Sequence, residues 1–299
     1  MCYVGDWARM YVFPAWLQRR GGLAPFPWTA GHGMGTRLQP GEPHAIIAEL
    51  AADPSVLLPF ILIGFAAQLV DGALGMAYGT ISSTLLVGLG VPPAVASAGV
   101  HTAETFTTGI SAISHVAHRN VDWRLFARIV LPGVVGGVLG AYVLSNIHAD
   151  AARPFVLGYL LLLGFYLFWR GWTHRHVVKT PKVVAPLGLV GGFLDAAGGG
   201  GWGPIVTSNL MVQGSEPRYT IGTVNTAEFF LTLTISATFL LTLGWEAFSV
   251  AIVGLLIGGV VAAPLGAVVA KRVEADKLLV LVGGVLTATS GWGLWRLLG

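Results

Sequence analysis

Charge is scarce in this chain: of 299 residues, 10% are Asp, Glu, Lys or Arg, against 54% that are hydrophobic. An ordinary soluble domain carries about a quarter charged residues. A water-facing globule is therefore excluded, and most of the chain must lie in lipid. Cysteine is almost absent too, and the single Cys2 rules out a disulfide framework or a cysteine-based metal site. The chain also lacks an HExxH zinc pair and a GxSxG nucleophile elbow. His101 and Glu104 offer at most two metal ligands, too few without help from other helices. No metal and no cofactor are expected, and an intramembrane enzyme is the weakest functional reading. The net charge of +3 does not signal nucleic acid, because the basic residues sit in loops between apolar spans, where they report topology.

Glycine, by contrast, is abundant at 42 residues. Helices in lipid have no hydrophobic force between them, and small residues let their backbones pack closely. Gly133, Gly136, Gly137 and Gly140, and likewise Gly254, Gly258 and Gly259, read as interhelical seams. Residues 1–43 differ from the rest, mixing Pro, Gly and Trp with Arg19, Arg20 and Arg37 and containing no apolar run of spanning length. They read as a poorly ordered tail without the apolar core of a signal peptide, or as sequence upstream of a start at Met34.

From about residue 56 onward the apolar segments fall into two sets of five with the same order of lengths. The first set covers roughly 56–70, 74–90, 93–118, 123–146 and 152–170, and the second roughly 183–197, 201–213, 217–243, 246–270 and 277–297. A first repeat over 44–172, a basic linker over 173–182 and a second repeat over 183–299 follow. The first two segments of each set are short. At about 1.5 Å per residue, 15 residues cover about 22 Å, less than a hydrocarbon core of about 30 Å. Each pair reads as a hairpin of half-helices, over 56–90 and 183–213, followed by three full transmembrane helices.

The two sets are related by descent. Residues 71–108 align without a gap to residues 195–232, and fourteen of the thirty-eight positions are identical, among them Asp71/Asp195, Gly79/Gly203, Pro93/Pro217, Thr102/Thr226 and Glu104/Glu228. Chance in so apolar a composition gives about three or four. If each hairpin enters and leaves on one side, Arg119, Arg124, Arg170, Arg175, Lys179, Lys182, Arg218, Lys271, Arg272 and Lys277 share one face. Arg153, Arg296 and the tail arginines lie on the other. The positive-inside rule makes the rich face cytoplasmic and both termini periplasmic. An odd number of crossings per half inverts one half relative to the other. The expected fold is thus an all-α polytopic membrane protein of two inverted-topology repeats, a transporter architecture.

A helix broken at membrane depth exposes backbone groups, and the half-helices starting near Leu74 and Trp202 would aim N–H groups and positive dipole ends at a shared central site. That site suits an oxyanion such as sulfite or a sulfonate. Candidate substrate-binding residues are Ser82, Ser83, His101, Thr105, Trp202, Thr207, Ser208, Asn209 and Asn225, with Thr80 and Thr84 on the same turns. Membrane Ser and Thr also bond back to their own helix, and Trp202 reads first as a packing residue. Asp71 and Asp195 stand where helix N-caps belong, so capping competes with direct work on a ligand or proton. Glu104 and Glu228 are buried ionisable residues that either brace the hairpins or carry a coupling proton. His101 shares a helix face with Glu104, yet the other half has Asn225 in its place. That asymmetry points to a cationic partner for the anion or a proton relay, with a neutral partner for Glu104 as the plainer alternative. His115, His118, His174 and His176 read as interfacial.

The Gly-rich Asp hairpin followed by a Thr-Ala-Glu helix, present twice, resembles the TauE/SafE family of sulfite and organosulfonate exporters, also called the toluene sulfonate uptake permease family. The resemblance covers residues 56–298. It implies a bacterial inner-membrane transporter of sulfite, sulfoacetate or related anions, usually working outward and driven by the proton gradient. An anion channel of the same architecture is the alternative. The expected partners are a small anionic substrate, the lipid bilayer and, optionally, a second copy of the chain as a homodimer, without nucleic acid.

Overall fold

The computed structural model describes residues 57–74, 76–172, 180–244, 250–272 and 275–298. The chain divides into Met1–Gln39 and Pro40–Gly299, and every described residue lies in the second unit. The expected tail and most of the basic linker, with His174 and His176, fall outside the described residues. The described part is all-helical, without a strand among its residues.

In order, the helices are α1 (Leu58–Leu74), α2 (Tyr78–Gly88), α3 (Pro93–Ala117), α4 (Trp123–Asn146), α5 (Ala149–Trp172) and α6 (Ala185–Gly198). A π-turn over Trp202–Thr207 leads into the short α7 (Ser208–Val212), followed by α8 (Pro217–Leu243), α9 (Val250–Arg272) and α10 (Ala275–Leu298). Local chemistry accounts for several of these ends. Pro93 and Pro217 begin α3 and α8 at the position where a missing N–H costs nothing. The Asp122 carboxylate accepts N–H bonds from Arg124 and Leu125 at the start of α4. Pro204 falls inside the π-turn, where a residue without an N–H disrupts the regular ladder.

Three described segments are long and apolar enough to cross a membrane: Trp123–Asn146, Ala149–Arg170 and Arg218–Leu243. Their surroundings are apolar on the outside, with Leu241, Phe155 and Ile113 exposed at 86%, 78% and 73%. The interior is enriched in polar groups, including Thr80, Ser82, Ser83, Ser97, His101, Glu104, Asp195 and Thr207. Apolar outside and polar inside is the arrangement lipid imposes on a bundle with a working interior.

Packing follows the expected glycine seams. A Cβ on Gly136 would strike the Leu189 carbonyl, one on Gly140 the Phe193 carbonyl, and one on Gly192 the Gly133 carbonyl, so α4 and α6 touch backbone to backbone. Ile129 lies at Gly188 and Gly140 at Ala196, which makes α4 and α6 parallel. Helices α1 and α9 pack the same way, Phe60 at Gly254 and Phe65 at Gly258. Two other large contacts run the other way. In α3 and α8, Asn120 meets Gly222 and Thr105 meets Ser236; in α5 and α10, Leu157 meets Gly293 and Gly164 meets Thr287. Both pairs are antiparallel. Basic and polar residues gather at one end of the bundle, where Arg218 bonds Asn120 and the His118 carbonyl, and the N–H groups of Lys182 and Val183 bond Gln213.

Candidate functional site

The two helix breaks meet. Three consecutive glycines with positive φ, Gly199, Gly200 and Gly201, turn the chain out of α6. A Cβ on Gly200 would collide with the backbone of Gly79 and Thr80, and one on Gly203 would lie 2.7 Å from the Met76 Cβ. Only glycine allows the second break to sit so close to the first.

Both aspartates serve these breaks, but from an unexpected position. Neither stands at an N-cap: Asp71 lies in the last turn of α1 and Asp195 in the last turn of α6. Each reaches forward across its break. Asp71 Oδ1 accepts the Ala77 and Tyr78 N–H groups at 2.7 and 3.2 Å, and Asp195 Oδ1 accepts the Trp202 N–H at 2.8 Å. The helix runs on to the aspartate because its carboxylate finds donors beyond the break, a contact no local signal announces. Glu104 lies over the same place from α3, where a side chain at Gly79 would come within 3.0 Å of its Oε1. The N–H groups expected to await a ligand are thus held by carboxylate oxygens.

Asp71, Glu104, Asp195 and Glu228 together line one cavity, with Met76, Ala77, Tyr78, Gly79, Thr80, Gly201, Gly203 and Pro204 completing its wall. Its volume is about 10 Å³, room for about one water molecule. Among the described residues, no lysine or arginine lines it. The pairing of both halves' carboxylates is what the aligned repeat anticipates.

The nine expected substrate-binding residues lie outside this wall. Ser83 donates to the Gly199 carbonyl and so ties α2 to the second break. Ser82 and Thr207 are fully buried with hydroxyl oxygens that have no partner among the described residues. Thr105 bonds back to the His101 carbonyl at 2.8 Å, and Asn209 to the Ile205 carbonyl at 2.7 Å. The Ser208 hydroxyl lies 3.7 Å from the Met76 sulfur. Trp202 is wholly buried, its ring against Gly133 and its Nε1 donating to the Val224 carbonyl, as a packing residue would be. Asn225 is buried, and among the described residues no side-chain bond joins it to Asp71.

His101 does not take the plainer of its expected partnerships. It pairs with Asp195 of the other half, Nε2 to Oδ2 at 3.1 Å, rather than with Glu104. Its Nδ1 lies 2.7 Å from the Ser97 carbonyl, and the Ser97 hydroxyl donates to the Ala196 carbonyl at 2.7 Å. Sequence spacing misses Ser97, although Ser97, His101 and Glu104 fall on one face of α3. It also misses Tyr159, whose hydroxyl donates to the Gly200 carbonyl at 2.9 Å. Arg170, the last residue of the expected 152–170 span, is buried in the last turn of α5, with Nη2 3.5 Å from the Ser208 carbonyl.

Comparison with known proteins agrees with this build. The family model described as "Sulfite exporter TauE/SafE" matches residues 60–292. A relative from Bacillus subtilis (strain 168), named "Probable membrane transporter protein YtnM", is 43% identical over 239 residues, covering 77% of this chain and 80% of the relative. No solved structure matches. The chain therefore belongs to the TauE/SafE family and is a multi-pass membrane transporter.

Proposed function

We propose that this protein is a secondary transporter exporting sulfite or small organosulfonate anions of the sulfoacetate kind across the bacterial inner membrane, coupled to protons through alternating access. The observation that carries the reading is the occupancy of the break N–H groups by carboxylate oxygens around a water-sized cavity. A sulfite or sulfonate oxygen is the same kind of acceptor and would replace them. It cannot do so beside four ionised carboxylates, because like charges at a few ångströms in a poorly solvated site repel strongly. Proton uptake by Asp71, Glu104 or Glu228 reduces that repulsion, and at Asp71 it releases the N–H groups its carboxylate holds. Affinity for the anion then rises as pH falls on the side to which the site is open.

The antiparallel packing of α3 on α8 and of α5 on α10 supports inverted repeats, since these are equivalent helices of the two halves. Rocking of one half against the other about the paired breaks then exposes the cavity to each side in turn. Basic loops at the end holding Arg218 and Lys182 favour a cytoplasmic placement for that end.

The test is flux into proteoliposomes across a panel of sulfite, thiosulfate, sulfoacetate and sulfolactate, with and without a pH gradient. Saturable exchange of at least one of them, faster with acid on the substrate side, is expected. Movement of none under any gradient overturns the reading. Replacing Glu104 and Glu228 singly by Gln refines it, because the variant that still exchanges substrate but no longer responds to pH identifies a proton carrier.

A further inference from the structure

The hydrogen-bond pattern around His101 fixes how many protons it must share. A backbone carbonyl can only accept, and the Ser97 hydroxyl, 3.2 Å from Nδ1, gives its proton to the Ala196 carbonyl, so the 2.7 Å contact between Nδ1 and the Ser97 carbonyl oxygen places a proton on Nδ1. A neutral ring then presents a bare lone pair at Nε2. Yet Nε2 lies 3.1 Å from Asp195 Oδ2, and two lone pairs cannot face each other at hydrogen-bond distance. A second proton lies between them, whether it is counted as imidazolium beside carboxylate or as imidazole beside carboxylic acid. Both partners are buried, at 0% and 3% exposure.

We infer that His101 and Asp195 form a proton-binding pair whose shared proton is the one coupled to transport, and that its loss releases the second helix break. The inference rests on the transporter reading above and assigns the proton within it. When the shared proton leaves to water admitted to the cavity, a carboxylate faces a lone pair and Asp195 must turn away. Its Oδ1 holds the Trp202 N–H, and its carbonyl oxygen accepts the Gly200 N–H at 2.8 Å. Turning the carboxylate therefore frees the Trp202 N–H on the far side of the Gly199–Gly201 bend. Ser97 keeps His101 in place on α3 throughout.

The groups that face the pair have no cation to spare. Asp71 from α1, Tyr78 from α2, Glu104 from α3 and Glu228 from α8 line the cavity that Asp195 enters, and Tyr159 from α5 bonds the neighbouring Gly200. His101 itself has no surface on that cavity. It acts on the break through Asp195 and is a positioning residue, not a substrate ligand. The first half cannot do the same, since Asn225 stands in the equivalent place and does not titrate.

His101→Gln keeps a donor near Asp195 but cannot gain or lose the proton. For one coupled proton, one unit of imposed pH difference supports up to about tenfold accumulation of labelled substrate in wild-type proteoliposomes. In the variant, exchange at equal pH is expected to persist at a lower rate while accumulation falls to about onefold. A folded, exchanging variant that still accumulates like wild type overturns the proposal. Should His101→Gln fail to fold, His101→Asn, which installs the residue of the other half, replaces it.

Wild type that exchanges nothing defeats the transporter reading rather than this one, and a second measurement reads the pair without substrate. In the nitrogen-15 spectrum of histidine-labelled protein in nanodiscs, the His101 signal is assigned by its loss in the variant. A change confined to Nε2, with Nδ1 protonated throughout, is expected as the pH is varied. An Nε2 that never changes, or an Nδ1 without a proton, overturns the proposal.

Discussion

Asp195→Ala is expected to abolish transport and to destabilise the protein by about 3–5 kcal/mol, the cost of leaving one member of a buried pair without its partner. The carboxylate serves two elements at once. Its Oδ1 satisfies the Trp202 N–H and its Oδ2 meets His101 from the other half. Removing it orphans a wholly buried imidazole and a backbone donor in a site with room for about one water molecule. Asp71→Ala is the informative comparison. Asp71 is partly exposed, and its two acceptances both come from the start of one helix, so a loss of about 1–3 kcal/mol is expected. The repeat alone would make the two substitutions equivalent. Thermal unfolding of both variants in detergent checks the difference, and a double-mutant cycle with His101→Ala assigns it to the pair. Equal losses would mean that the His101 contact contributes little and that both aspartates act only on their breaks.

The inequality between two residues that align perfectly shows what a sequence can and cannot display. Helix limits set by local chemistry are legible: the expected 123–146 and 217–243 match α4 and α8, because Asp122 and Pro217 mark their starts. The end of α1 is not. It was expected at 70 and lies at Leu74, since an aspartate in an apolar run looks like a boundary until its donors across the break are known. The same limit applies to the site. The four carboxylates are legible because duplication marks them, and they do converge. Some of the hydroxyls turn to their own helix, as with Thr84 to the Thr80 carbonyl and Thr105 to that of His101, while Ser83 reaches the Gly199 carbonyl of the other half. His101 misleads: Glu104 is close in sequence and on the same face, whereas Asp195 is 94 positions away. Only the meeting of the two halves decides between them.

The adjacent glycines Gly283 and Gly284 on α10 are expected to respond in opposite directions to the same substitution. A Cβ on Gly283 would lie 2.5 Å from the Phe168 nitrogen, 2.7 Å from the Gly164 oxygen and 2.9 Å from the Phe168 Cα, all backbone atoms of α5. Backbone cannot swing aside, so Gly283→Ala must push two whole helices apart. Overpacking costs about 1–3 kcal/mol even where side chains can adjust, and here little folded protein is expected. Gly284 has nothing within 4 Å of its hypothetical Cβ. Gly284→Ala should fold normally and gain up to about 0.5–1 kcal/mol from removing a glycine in a helix interior. The same contrast repeats on the facing helix. Gly164→Ala would meet Thr287 at 2.7 Å, while Gly158 has open space, so only the former should fail. Monodisperse yield on gel filtration and the unfolding temperature of the four variants provide the measurement. Loss with Gly284→Ala or Gly158→Ala, or tolerance of the other two, would show that α5 and α10 do not pack through this seam. Because α5 and α10 are equivalent members of the two repeats, intolerance at Gly164 and Gly283 alone would also tie the fit of the two halves to a backbone contact that only glycine permits.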